Sequence, residues 1–172
     1  KRHLFIRILL LLVCSLLTVN LIAQPRNPMR ATDDAFFQTD EARRIGDQML
    51  LYQRVTGGWP KNIDMARNLT PEERARIARD KQRDDDSTVD NGATTMQMKY
   101  LARLYKQTGE PRYKEGFRRG VEYLLSGQYE NGGWPQFLPN NRGYQVHITY
   151  NDDAMVNTLT LFRDLFEGRD IY

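Results

Sequence analysis

The chain has 172 residues, 40% of them apolar and 27% charged, which suits one domain with a core and excludes a disordered tail. Its formal net charge of +3 comes from the start, because residues 1–23 hold three of the 25 basic residues and none of the 22 acidic ones. The rest is balanced, so the sequence pI near 9.0 gives no reason to expect a nucleic-acid partner.

Lys1, Arg2 and Arg7 lead into an apolar run over residues 8–17, and apolar character continues to Ala23. That order describes a secretory signal over residues 1–23. The mature chain is then expected in the periplasm or outside the cell, without stable membrane association. A lipoprotein start at Cys14 fits less well, since Val13 stands where a small residue is needed, and a retained anchor is the other alternative. Cys14 leaves with the signal, which excludes disulfides, thiolate nucleophiles and cysteine-bound zinc from the remainder. His147 is then the one histidine left, so any metal would be held by oxygen.

Residues 24–39 read as a polar linker. From Asp40 a helix is expected with Ala42, Ile45, Met49 and Tyr52 on one face, stopped by a left-handed glycine cap at Gly57-Gly58 before Trp59-Pro60. Thr70-Pro71-Glu72-Glu73 is a capping box that opens a solvated helix to about Gln82. Asp84-Asp85-Asp86 lacks the spaced acids and later glutamate of an EF-hand. The next helix runs from Ala93 with a stripe of Met96, Tyr100, Leu101, Leu104 and Tyr105. After Gly109-Glu110-Pro111, another helix points Tyr113, Phe117, Val121, Leu124 and Leu125 inward and ends at Gly127. The segment YQVHITY reads as a short β-like run, and Met155, Thr158, Leu159, Phe162, Leu165 and Phe166 mark a last helix. Five helices with little strand predict an all-α fold of antiparallel helix pairs.

Two segments recur. QRVTGGW from Gln53 aligns without gaps on QYENGGW from Gln128 at an offset of 75 residues, and STVDNGAT from Ser87 superposes on ITYNDDAM from Ile148 at an offset of 61. A matched helix end plus turn indicates an internal repeat. Helical hairpins that repeat this way close into a toroid with a cleft at one end, and the chain is short for a closed ring, so it reads as a fragment.

The repeated polar groups are where chemistry is expected. Asp90-Asn91 and Asn151-Asp152-Asp153 each precede a helix, where such residues ordinarily cap free amides. Taken together, two neighbouring helix starts present carboxylate and amide oxygens suited to calcium. A helix N-terminus repels cations, so more acid than one cap needs points to a bound positive charge. Trp59 is expected to staple its turn, whereas Trp134, beside Gln136 and Phe137, could stack on a sugar ring. His147 is expected either buried and hydrogen-bonded or at a ligand.

The segments DNGATTMQMKYLARLY, SGQYENGGWPQFLP and HITYNDDAMVNTLTLFRDL, with GGWPKN upstream, resemble the pectate lyases of polysaccharide lyase family 10. The likeness runs from about Asp40 to Phe166. It implies part of an α/α toroid of helical hairpins with long loops, as the N-terminal portion (residues 40–172) of a secreted, monomeric, calcium-dependent enzyme that cleaves polygalacturonate (pectin) by β-elimination. By the same resemblance Asp90, Asn91 and Asp152 would bind Ca2+, and Trp134, Gln136, His147 and Asp153 would contact substrate. Many relatives carry aspartate where this chain has Gly92. The family's base is an arginine well downstream of NDDAM, expected beyond Tyr172; Arg142 is the first candidate within the chain. The C5 proton to be removed lies α to a uronate carboxylate, and a Lewis acid on that carboxylate would stabilise the developing charge. An arginine base must first lose a proton held with a pKa above about 12, so activity should rise with pH. Two other readings stay open: a calcium-assisted sugar-binding module built on Trp134, and a toroid terpene cyclase, whose Gln-x3-Gly-x-Trp repeats resemble those at Gln53 and Gln128. The latter lacks its acidic boxes here.

Overall fold

The computed structural model describes residues 27–139, 142–148, 150–169 and 172. The expected signal over residues 1–23 lies outside them. Five α-helices stand among the described residues. In α1 (Asp40–Tyr52) the Thr39 hydroxyl accepts from the Ala42 amide, and Asp40 and Glu41 fill the first turn, where negative charge is favoured. The helix α2 (Pro71–Asp80) has the capping box read from the sequence: the Glu73 amide donates to the Thr70 hydroxyl and the Thr70 amide donates to the Glu73 carboxylate. Only Ile77 of α2 is buried, as a solvated helix requires.

The helices α3 (Thr95–Thr108) and α4 (Pro111–Ser126) form a hairpin. Gly109, at φ +69°, takes the left-handed cap and donates to the Tyr105 carbonyl at 2.7 Å, and Pro111 opens α4. Gly116 of α4 lets α1 and α3 come close, since a Cβ there would lie 2.4 Å from Leu50 Cδ2 and 3.0 Å from Leu101 Cδ1. The last helix, α5 (Ala154–Phe166), packs against α3. Ile45 and Met49 of α1, Met98, Leu101 and Leu104 of α3, Tyr113 and Leu124 of α4 and both tryptophans make the core. No strand is present among the described residues; two isolated antiparallel bridges join Thr88 to Phe137 and Pro135 to Ile148. The fold is all-α, of the helical-hairpin kind expected.

Several local expectations need correction. Residues 27–39 are not a free linker. Phe36 and Phe37 are buried, Phe37 meets Tyr100 edge-on at 4.9 Å, and Met29 packs on the same core. Burying each phenylalanine contributes about 1.5–3 kcal/mol, which overrides the polar look of the segment. The α1 helix ends at Tyr52, so Gly57 is a turn residue (φ +97°) and not its C-cap. Residues Gly143–Val146 form a 3-10 turn instead of a β-like run, and only Ile148 beyond them makes a bridge. Leu125, Leu159 and Phe166 are exposed, whereas Leu161 takes the buried place on α5.

Candidate functional site

The two glycine-tryptophan turns are built from the same hydrogen bonds. Gln53 donates its side-chain amide to the Gly57 carbonyl at 2.8 Å, and Gln128 donates to Gly132 at 2.9 Å. The Arg54 amide donates to Gly58 at 2.9 Å, and that of Tyr129 to Gly133 at 2.8 Å. Gly57 and Gly132 sit at φ +97° and +85°, where a side chain would be strained. Each indole N–H donates back to its own helix at 2.7 Å, Trp59 to Met49 and Trp134 to Leu124. The glutamine closes the turn, the glycine reverses it, and the tryptophan bolts it to the preceding helix. The Gln-x3-Gly-x-Trp pattern is thus a device of the fold in both copies.

Both turns hold the segment that carries the acids. The Thr88 amide donates to the Trp59 carbonyl, and the Val89 amide and the Thr88 hydroxyl donate to the carbonyl of Gln136 at 3.1 and 2.6 Å. Thr94 locks the far end, accepting from the Trp59 amide and donating to the Thr88 carbonyl at 2.8 Å. Between these anchors lies the 3-10 turn Asp90–Gly92, with Asn91 at φ 52°, ψ 27° and Gly92 at φ +72°. The 3-10 turn Asn151–Asp153 repeats it, with Asp152 at φ 51°, ψ 32° and Asp153 at φ 56°. The two turns pack beside one another. They diverge only at their exits, since Ala154 is already helical while Ala93 is extended and α3 begins at Thr95.

Neither turn caps its helix through a side chain, so capping, the ordinary use of such residues, does not account for the acids. A left-handed non-glycine residue costs about 1–2 kcal/mol, least for Asn and Asp, and Asn91, Asp152 and Asp153 occupy three such positions. Asp90 is buried; one of its oxygens accepts from the Asn91 amide at 3.0 Å and the other is paired with Lys61. Asn91 donates its side-chain amide to Asn62 Oδ1 at 2.9 Å, which turns its own oxygen away from that contact. Asp152 and Asp153 are exposed. A cleft of about 550 Å³ opens beside this cluster, lined among others by Arg30, Lys61, Asn62, Asp64, Asn91 and Gln97.

The pectic acid lyase family model matches residues 53–172, well over half of the chain. The chain belongs to that family. Among solved structures it is similar to a family 10 polysaccharide lyase from Cellvibrio cellulosa, and to an aspartate-to-alanine variant of such an enzyme in complex with trigalacturonic acid. Each is 32% identical with a TM-score of 0.65, over 81% of this chain and 42% of the solved one. The chain thus spans less than half the length of these lyases. No curated protein matches it.

Within this lyase framework the residues expected at the site divide sharply. Asp90 and Asn91 lie on one of the two packed turns, and Asp152 and Asp153 on the other. Trp134 does not join them as a sugar platform: it is 1% exposed, spends its N–H on Leu124 and stacks on Phe162 at 5.6 Å. Gln136 is 7% exposed and serves through its backbone, so it positions the acidic turn and offers no surface to a sugar. His147 is exposed and not buried. The aromatic faces open to solvent in this region are Tyr144 and Tyr150, each 76% exposed. Sequence reasoning passed over Lys61 and Asn62, the partners of Asp90 and Asn91. The signal was present, because they complete GGWPKN in the first turn where the second has Gln136 and Phe137.

Proposed function

We propose that this chain is part of a secreted, calcium-dependent pectate lyase that cleaves polygalacturonate by β-elimination. The observation that supports this reading is the packing of two left-handed turns, one carrying Asp90 and Asn91 and the other Asp152, in a chain of the pectic acid lyase family. The trigalacturonic acid bound to the related lyase supports an acidic galacturonide as substrate. No group of three or more His, Cys, Asp or Glu residues that could hold a metal stands among the described residues, and the proposed donor set therefore joins two carboxylates to an amide oxygen, that of Asn91. Two carboxylates and an amide suit a hard, oxygen-seeking cation. Lys61 supports the fit, since an ammonium group already sits on Asp90 where positive charge is wanted.

Asp90, Asn91 and Asp152 would hold the calcium, which when bound would polarise the uronate carboxylate next to the C5 proton. Asp153 of the second turn and His147, both exposed, would hydrogen-bond sugar hydroxyls, and Tyr150 offers the flat face that Trp134 does not. Export fits a polysaccharide substrate outside the cell, and no helix among the described residues is long and apolar enough to cross a membrane. The burial of Trp134 removes the feature on which a purely sugar-binding module rested. Calorimetry with trigalacturonate tests the proposal. Binding should require calcium and vanish with a chelator, and calcium-independent binding would contradict it.

A further inference from the structure

Arg30 stands on the rim shared by two grooves. One is the cleft beside Asn91; the other, of about 210 Å³, is lined among others by Arg30, Thr32, Gly92, Lys99, Arg103 and Asn157. The grooves adjoin along Met29, Arg30 and Met96. Among the described residues no acid lines the second groove, which carries Arg30, Lys99 and Arg103. Neither Arg30 nor Lys99 has a carboxylate partner among the described residues, where nine other arginines form ion pairs. Arg30 is nonetheless held in place. Its 3-10 turn, Pro28–Arg30, is capped by Asn27, and the neighbouring Met29 is buried with its sulfur accepting from the Met65 amide at 3.2 Å. Its guanidinium reaches toward the acidic turn: a Cβ on Gly92 would lie 3.9 Å from Arg30 Nη2. Because residue 92 is glycine, nothing at that position covers or neutralises it.

We propose that Arg30 and Lys99 form an additional carboxylate-binding subsite, which extends the paired-turn site along the second groove and takes a further uronate unit of an acidic oligosaccharide. The inference rests on the polygalacturonate reading above. A guanidinium binds a planar carboxylate through two parallel hydrogen bonds, and an ammonium on the same wall adds charge without demanding one orientation. The two grooves meet at Arg30, so a chain of uronates lying past Asn91 would present its next carboxylate there. Met29 and Met96 give the shared wall an apolar surface against which a sugar ring can lie.

The test compares trigalacturonate with hexagalacturonate by calorimetry in calcium, on the chain and on the R30Q/K99Q double variant. Both positions lie outside the paired turns, and both side chains line the surface of the second groove. The chain should bind the hexamer about tenfold or more tighter than the trimer, since charge-assisted contacts carry that much. The double variant should bind the hexamer no better than it binds the trimer. Equal behaviour of chain and variant on both oligomers would overturn the subsite while leaving the polygalacturonate reading intact. Failure of the chain to bind either oligomer would overturn that reading and the subsite with it. Inorganic polyphosphate binding as tightly as the hexamer, and lost in the same variant, would show a general anion patch and overturn the saccharide assignment.

Discussion

The two copies of the repeated turns share a backbone and differ in what surrounds it. In the first copy Arg54, 5% exposed at its side chain, grips Asp86 with two bonds of 2.8 and 2.7 Å, and Asp90 is buried against Lys61. In the second, Tyr129 takes the place of Arg54 and donates to the Val146 carbonyl at 2.7 Å, and Asp152 stands exposed. In the 61-residue register Asp90 matches Asn151 and Asn91 matches Asp152, so the first copy ties its acid down by an ion pair inside the protein, while the second carries its acids further along the turn and exposed. The backbone geometry therefore belongs to the fold, whereas the side chains around it differ: the first copy encloses Asp90, and the second leaves Asp152 and Asp153 exposed.

The sharpest way to break this division is at the tryptophans. If both are bolts, Trp59→Ala and Trp134→Ala should each cost about 3–5 kcal/mol in urea unfolding. A Trp134→Ala variant of undiminished stability that loses galacturonide binding would restore the sugar-stacking role and break the symmetry. Next in size is the contrast between Arg54 and Tyr129. Asp86→Ala strands a buried guanidinium and should cost about 3 kcal/mol or more, whereas Tyr129→Phe removes one neutral hydrogen bond and should cost about 1 kcal/mol. Equal costs would mean that the two copies are not differently anchored. Smaller again is Lys61→Met, which leaves the Asp90 carboxylate buried without its cation. The metal-free chain should lose about 1–2 kcal/mol, and calcium should then raise its Tm by more than it raises that of the unmodified chain. A calcium response unchanged by the substitution would separate Lys61 from the site.

Much of this was legible in the sequence because the signals were local. The stripe Ala42, Ile45, Met49 and Tyr52, the Thr70 capping box and the hairpin at Gly109 depend on spacings within one or two turns of chain, and the structure has them. The STVDNGAT and ITYNDDAM repeat was likewise visible as a matched pair, although not as left-handed backbone, since nothing in residue type separates a cap from such a turn. Residues 27–39 misled because Phe36 and Phe37 have no period of their own and find their partners, such as Tyr100, far along the chain. Trp134 misled for a related reason: its neighbours in sequence are polar, but its ring lies on Phe162 of α5. Lys61 and Asn62 were missed because their contacts to Asp90 and Asn91 span 29 residues.

The central claim is that the open acid of the second turn binds a cation while capping nothing. Asp152→Asn tests it, since asparagine tolerates the left-handed backbone and keeps one oxygen but removes the charge. Calcium titration by calorimetry, with the far-ultraviolet helix signal recorded on the same samples, should show affinity weakened by about tenfold or more and an unchanged helix signal. Calcium binding equal to that of the unmodified chain, or a loss of helix in place of a loss of calcium, would contradict the account.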